Sequence, residues 1–459
     1  MRNFIFLVTC HFALVTVLSA QWLEATIPVG NNPWTLVYNS TNNKVYCANL
    51  YSDNVTVIDG VYNSVITTVS VDSGPYALVY NPTNNKVYCT NRWSHNVMVI
   101  DGVTDSVITT IAVGNYPCAL VYNSLNNKVY CANFASDNVT VIDGASDSVI
   151  KTITVGGGPW ALVYNSLNNK VYCANRGSNN MTVIDGASDT VITTVPAGDY
   201  PFALVYNSLN NKVYCANGIS NNVMVIDGVS DSVITTVPAG GHPWALVYNS
   251  LNNKVYCANA YSNTVTVIDG VTDSVIKTIT VGSFPYALFY NSMNKKVYCA
   301  NDASNNVTVI DGATDSVITT IAVGGGPGAF AWNPIQNRTY VANYWSFTVS
   351  VIRDSIIPGI EETTNLNAIS LMPEIYPNPA KGVIRVRFQS PFDSPFIKGG
   401  KGDLIKIFDV SGKLIKEIEI LCSAQNDGVG ETKISLKGIK PGIYFLRFGT
   451  EVKKFLVVK

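Results

Sequence analysis

The chain has 459 residues, of which 47% are hydrophobic, 10% aromatic and only 13% charged, with 30 Lys and Arg against 31 Asp and Glu. This balance supplies a large core, argues against intrinsic disorder, and leaves no basic footprint for nucleic acid or an anionic membrane. Ten cysteines are too few for a disulfide scaffold of this length, and three histidines leave little for metal or general-base chemistry.

Residues 1–20 read as an export signal. Arg2 precedes an apolar run from Phe4 to Leu18, which ends in the small residues Ser19 and Ala20. The run is short for a bilayer span, so a cleaved signal peptide is favoured over a retained anchor. No later stretch reaches transmembrane length.

From residue 21 to 353 one unit is written eight times. A proline followed by an apolar run recurs at Pro33, Pro75, Pro117, Pro159, Pro201, Pro243, Pro285 and Pro327, always 42 residues apart. That period suits a four-stranded propeller blade. In the unit opening at Pro117, four segments rich in Val, Ile, Thr and Tyr run from Ala119 to Tyr122, Lys128 to Ala132, Asn138 to Ile142 and Ser148 to Val155. Asn-Asn, Ser-Asp-Asn, Asp-Gly and Gly-Pro punctuation separates them, which predicts an antiparallel meander. The fourth segment follows only seven of the units; its eighth copy, residues 22–29, lies at the start of the chain. A strand there would close the ring by completing the last blade and cover an exposed edge. The prediction is eight blades with 22–29 as the clasp; a seven-bladed ring with a spare outer unit is the alternative.

The second segment carries Tyr46-Cys47-Ala48-Asn49, then Tyr88-Cys89-Thr90-Asn91, and so on to Tyr340-Val341-Ala342-Asn343, between an Asn-Asn-Lys turn and a Val-Ile-Asp-Gly run. This resembles the YVTN-type β-propeller repeat of microbial surface-layer and secreted proteins, with Cys where Val is usual. The resemblance covers 22–353 and implies a propeller in an extracellular setting. It implies no ligand, because such propellers serve diverse ends.

A polar linker is expected over 354–372, followed by a second module at 373–459. Tyr376-Pro377-Asn378-Pro379 opens it, and strands are predicted at Val383 to Phe388, Leu404 to Asp409, Lys413 to Ile418, Gly442 to Phe448 and Lys453 to Lys459, which suggests a small β-sandwich. The ordered motifs, with Gly412-Lys413 after Ile407-Phe408-Asp409 and a final strand ending in Lys459, resemble the type A sorting domain of the type IX secretion system. That implies engagement of the secretion machinery, passage across the outer membrane, and either surface anchoring or release. The expected fold class is all-β: an eight-bladed β-propeller of 42-residue four-stranded blades followed by a small β-sandwich domain.

Seven cysteines, Cys47 through Cys299 at the 42-residue period, could suggest a metal ring. Equivalent positions in adjacent blades lie about 10 Å apart, beyond disulfide or shared-ligand reach, so core packing is expected. The Asp-Gly-x-x-Asp turns, such as Asp101 with Asp105, offer too few oxygens for calcium and are read as Asp residues capping their own turns. No Gly-x-Ser-x-Gly, His-Glu-x-x-His or phosphate-cradling loop occurs. No cofactor and no metal site are expected.

The repeat has one constant and one variable face. Its Asn-Asn-Lys and Asp-Gly-x-x-Asp turns emerge together on one side, while the loops around each Pro and after each second-strand Asn emerge on the other. The variable loops carry Trp34, Trp160, His242 and Trp244 beside the prolines, and Tyr51, Arg92, Trp93, Arg176, Tyr261, Tyr344 and Trp345 after the asparagines. Aromatic rings with polar edges suit sugars or protein partners. Those that follow a Pro could alternatively plug the ring centre. The sequence therefore points to a secreted or cell-surface, monomeric, non-catalytic propeller that binds an extracellular protein or glycan through this face. A lactonase-like or cofactor-using enzyme and a purely structural surface-layer component are the rival readings.

Overall fold

The computed structural model describes residues 21–354 throughout and, beyond them, Lys440 and the backbone of seven strands between 374 and 457. The chain separates into two units, the first holding the propeller and the second those seven strands. The predicted signal and most of the predicted linker lie outside the described residues.

Thirty-two strands in the first unit form eight four-stranded antiparallel sheets. The first blade is Pro33–Asn39, Lys44–Asn49, Asn54–Asp59 and Val65–Ser70, paired in that order. Six further blades repeat it, and the eighth combines Pro327–Asn333, Arg338–Asn343 and Thr348–Asp354 with the N-terminal strand Gln21–Pro28. The clasp predicted at 22–29 is thus present, shifted by one residue, and the seven-bladed alternative is excluded. The last strand runs through Asp354, one residue into the predicted linker, because that buried residue joins its neighbours by hydrogen bonds to Asn291 and Tyr298.

The blades pack through their faces, and the pleat explains the sequence of the second strand. Val45 and Cys47 face the eighth blade with Tyr340 and Ala342, whereas Tyr46 and Ala48 face the second blade with Val87 and Cys89. Alternate side chains of one strand therefore serve two interfaces, so both sets are apolar and buried. Each cysteine meets a tyrosine of the preceding blade, as Cys131 does beside Tyr88, so seven of the eight interfaces hold one thiol each and the remaining one has Val341 beside Tyr298. Burial drives these thiols well above their ordinary range. The fourth strands form the outer rim; those of the first seven blades bury one residue each, such as Ile153, and the clasp buries Gln21 and Ile27.

The second unit contains a three-stranded antiparallel sheet, Glu374–Tyr376, Val383–Gln389 and Val429–Ser435. A four-stranded sheet is ordered Leu414–Glu419, Leu404–Asp409, Gly442–Phe448 and Glu451–Val457. The strand at Val429–Ser435 was not predicted from the sequence. The face-to-face packing expected of a sandwich rests on side chains outside the described residues.

Candidate functional site

On the constant face, each blade is tied to the next. Asp101 accepts the backbone N–H groups of Val103 and Thr104 and so caps its turn as expected. Asp105 departs from expectation: its carboxylate takes Lys44 Nζ at 2.7 Å and the Tyr46 hydroxyl at 2.6 Å, both from the preceding blade. Its backbone lies in the left-handed region at φ 56°, which Asp tolerates and which turns the side chain away from its own turn and across the interface. Six interfaces repeat the ion pair between Lys and Asp. At the seventh, Asp354 replaces the turn carboxylate for Tyr298 and Lys296. At the eighth, the ring-closing one, Arg338 and Asn63 replace the Lys and the Asp; Tyr340 binds Asn63, while Arg338 binds Gly60 O, Val61 O and Glu24 of the clasp.

A second circuit runs beneath these latches. Asn39 caps its own turn through Thr41 N–H and donates Nδ2 to Asn85 Oδ1 of the next blade at 2.8 Å. Asn333 donates likewise to Asn43, returning to the first blade. Glycine is required where the circuit passes: a side chain on Gly102 would meet Asn85 Oδ1 at 2.4 Å and Asn39 Nδ2 at 2.6 Å. The constant face is thus the seam of the ring.

The variable face is built in tiers. The residue after each second-strand Asn donates its N–H to the carbonyl of the residue before the adjacent Pro, as Arg92 does to Gly74 and Tyr344 to Gly326, both at 2.8 Å. The residue before the Pro has positive φ in all eight blades, and in four it is a bulky ring: Tyr116, Tyr200, His242 and Phe284. Left-handed backbone is unfavourable for such residues and doubly so before Pro, and such positions cluster at ligand sites. Of these four, the sequence pattern singled out only His242; the recurrent position before Pro was the available signal for the others.

The residues after the prolines close the axis. Trp34, Tyr76, Trp160, Phe202, Trp244 and Tyr286 form a circle, with neighbouring ring centroids between 4.4 and 6.4 Å apart. The circle skips the two small residues at this position, Cys118 and Gly328. Trp34, Trp160 and Trp244 therefore act first as the plug foreseen as their alternative role. Cys118 is buried beneath it, with Sγ 3.2 Å from Pro159 O.

Outside the circle three aromatic pairs lie on this face. Tyr51 lies 5.4 Å from Trp93, His242 stacks on Tyr261 at 4.3 Å, and Tyr344 meets Trp345 edge-on at 4.5 Å. Tyr261 is 69% and Trp345 64% exposed. Burial lowers the His242 pKa, and its Nδ1, 3.1 Å from Gly218 O, orients the ring as a stacking surface. Two guanidiniums cover the other half of the plug. Arg92 lies 4.6 Å from the Tyr76 centroid, Arg176 lies 4.5 Å from that of Phe202, and Trp160 stands between them. These are cation–π contacts. Among the described residues no group of three or more His, Cys, Asp or Glu converges as a metal site, and no helix is long and apolar enough to cross a membrane.

Eight radial four-stranded sheets with a plugged axis define an eight-bladed β-propeller. The chain belongs to the YNCE-like beta-propeller family, whose sequence model matches residues 4–292. Residues 374–459 match the secretion system C-terminal sorting domain. That tail, of the type IX system, implies contact with the secretion machinery and marks the protein as secreted or held at the cell surface, outside the outer membrane. An N-terminal signal peptide is consistent with this route. No curated protein matches the chain. Among solved structures, Kuenenia stuttgartiensis hydrazine synthase is similar at 20% identity and a TM-score of 0.52, over 62% of this chain and 96% of that one. At that identity the likeness is one of fold alone.

Proposed function

We propose that the propeller is a non-catalytic binding module that holds an extracellular protein or glycan through its variable face. The observation that carries this reading is the concentration of exposed Tyr51, Trp93, Tyr261 and Trp345 on the face that does not hold the ring together. Exposed aromatics offer flat apolar area at low entropic cost, the usual composition of contact hot spots. A non-catalytic role is supported by His242, which is spent on a carbonyl and a stacked ring, and by the thiols, which are buried and far from nucleophilic. Glycan-array and surface-protein binding by the mature chain, compared with Trp93→Ala and Trp345→Ala, tests the reading. Each substitution is expected to weaken binding about tenfold, as loss of one aromatic hot spot does. Undiminished binding in both variants overturns the assignment of the face.

A further inference from the structure

Gly328 leaves a hole in the plug. Where three other blades place Trp after the proline, the eighth has no side chain, and a cavity of about 290 Å³ opens beside it. Its walls are Trp34, Phe284, Tyr286, Tyr344 and Trp345, with Asp302 set among them. Gly326, at φ 70°, allows the Trp345 ring to lie directly against the backbone, where a Cβ would be 2.2 Å from it. The volume is at the small end for ligand pockets, so it suits a compact headgroup better than a polymer segment.

Resting on the binding role argued above, we propose that this cavity takes a small organic cation of the methylated-ammonium class. Three features of the cavity converge on that chemistry. Five aromatic residues line the cavity, and aromatic rings attract a cation while, unlike a carboxylate, costing it little desolvation. Asp302 is half-buried, its carboxyl carries no hydrogen bond or ion pair among the described residues, and burial pushes its pKa up. An unpaired carboxylate in such surroundings is unfavourable, and a bound cation offsets that penalty. Finally, Asp302 occupies the repeat position of Arg92 and Arg176. Across the plug those two guanidiniums supply the cations that sit on the aromatic rings. On the Gly328 side the aromatics are kept, the cation is replaced by a carboxylate, and room is left for a cation from outside.

Calorimetric titration of the mature protein with choline and with its neutral isostere 3,3-dimethylbutan-1-ol tests this. Choline is expected to bind saturably and the isostere at least about tenfold more weakly, since only the charge differs. Gly328→Trp restores the residue of the first, fourth and sixth blades and fills the hole; Asp302→Asn removes the charge. Each is expected to weaken choline binding at least about tenfold with the thermal midpoint retained. Equal affinity for the isostere, unchanged choline affinity in Gly328→Trp, or no binding at about 10 mM choline overturns the proposal. Capture of the macromolecular partner separates the two readings. If it survives in Gly328→Trp and is lost in Trp93→Ala while wild type ignores choline, the cavity proposal alone fails.

Discussion

Asp189 shows what a single residue does at a blade interface. It is 4% exposed and holds Lys128 at 2.7 Å and the Tyr130 hydroxyl at 2.6 Å. Asp189→Ala would take the carboxylate away from the half-buried Lys128 ammonium, which keeps only Gly186 O and Ala187 O, and from the buried Tyr130 hydroxyl, and would place Ala at φ 55°. The expected loss of stability is about 3–4 kcal/mol, because breaking a buried pair costs more than the pair contributes. Asp189→Asn keeps the left-handed backbone and an acceptor for Tyr130, as Asn63 already does for Tyr340, and should cost about half as much. Denaturant unfolding of the two variants checks the order; equal losses would show that the charge alone, not the turn or the shared acceptor, sets the energy. The latch was only half legible in the sequence. The partners lie 61 residues apart, so the turn was read as self-contained. Yet the copies contained the clue: the one unit with Arg338 in place of Lys faces the one turn with Asn63 in place of Asp.

The clasp was more legible, because counting strands is independent of side-chain detail. Seven fourth strands against eight of each other kind requires the missing one to come from elsewhere in the chain. What counting could not give is how the clasp is locked. Gln21–Pro28 pairs with Thr348–Asp354 and has its bulge at Glu24, the place of an exposed Ile in other blades such as Ile150. The bulge turns Glu24 to Arg338, giving contacts of 2.7 Å from Nε and 2.5 Å from the terminal nitrogen. Glu24→Gln should cost about 1–2 kcal/mol, since Arg338 retains the carbonyls of Gly60 and Val61. Deletion of residues 21–29 should cost far more. It strips the eighth blade to three strands, exposes the edge of Thr348–Asp354 and removes Ile27 from the core. Thermal unfolding of both variants measures this, and an unchanged midpoint in the deletion would mean that the ring stays shut without its clasp.

At the scale of the molecule, adhesion and variation are divided between the two faces. Latches and the Asn circuit occupy the constant face in nearly every blade, which frees the opposite loops to carry rings, guanidiniums and a carboxylate without loosening the ring. That division was readable from the repeat, since constant turns and variable loops separate cleanly in a four-stranded meander. The cavity was not, because it depends on how rings from several blades meet around a missing side chain. The repetition also gives the whole ring one response to acid. The carboxyls of Asp101, Asp143, Asp185, Asp227, Asp269 and Asp311 lie below their ordinary value of 3.8. In the first five, the backbone N–H at the third turn position is the leading cause; in Asp311 the same bonds outweigh its burial. A depressed folded pKa means that the unfolded chain binds protons first. The contribution is therefore complete above the unfolded value and lost as pH falls through the folded one. Asp302 and Asp354, raised by burial, act in the opposite sense. For the six turn carboxylates, stability should be retained from pH 7 to about pH 5 and fall below 3.8. Because the six lie in six successive blades, far-UV and near-UV signals should be lost together. Stability that is unchanged or higher at pH 3, measured by urea midpoint, would show that the turn carboxylates do not govern the acid response of the ring.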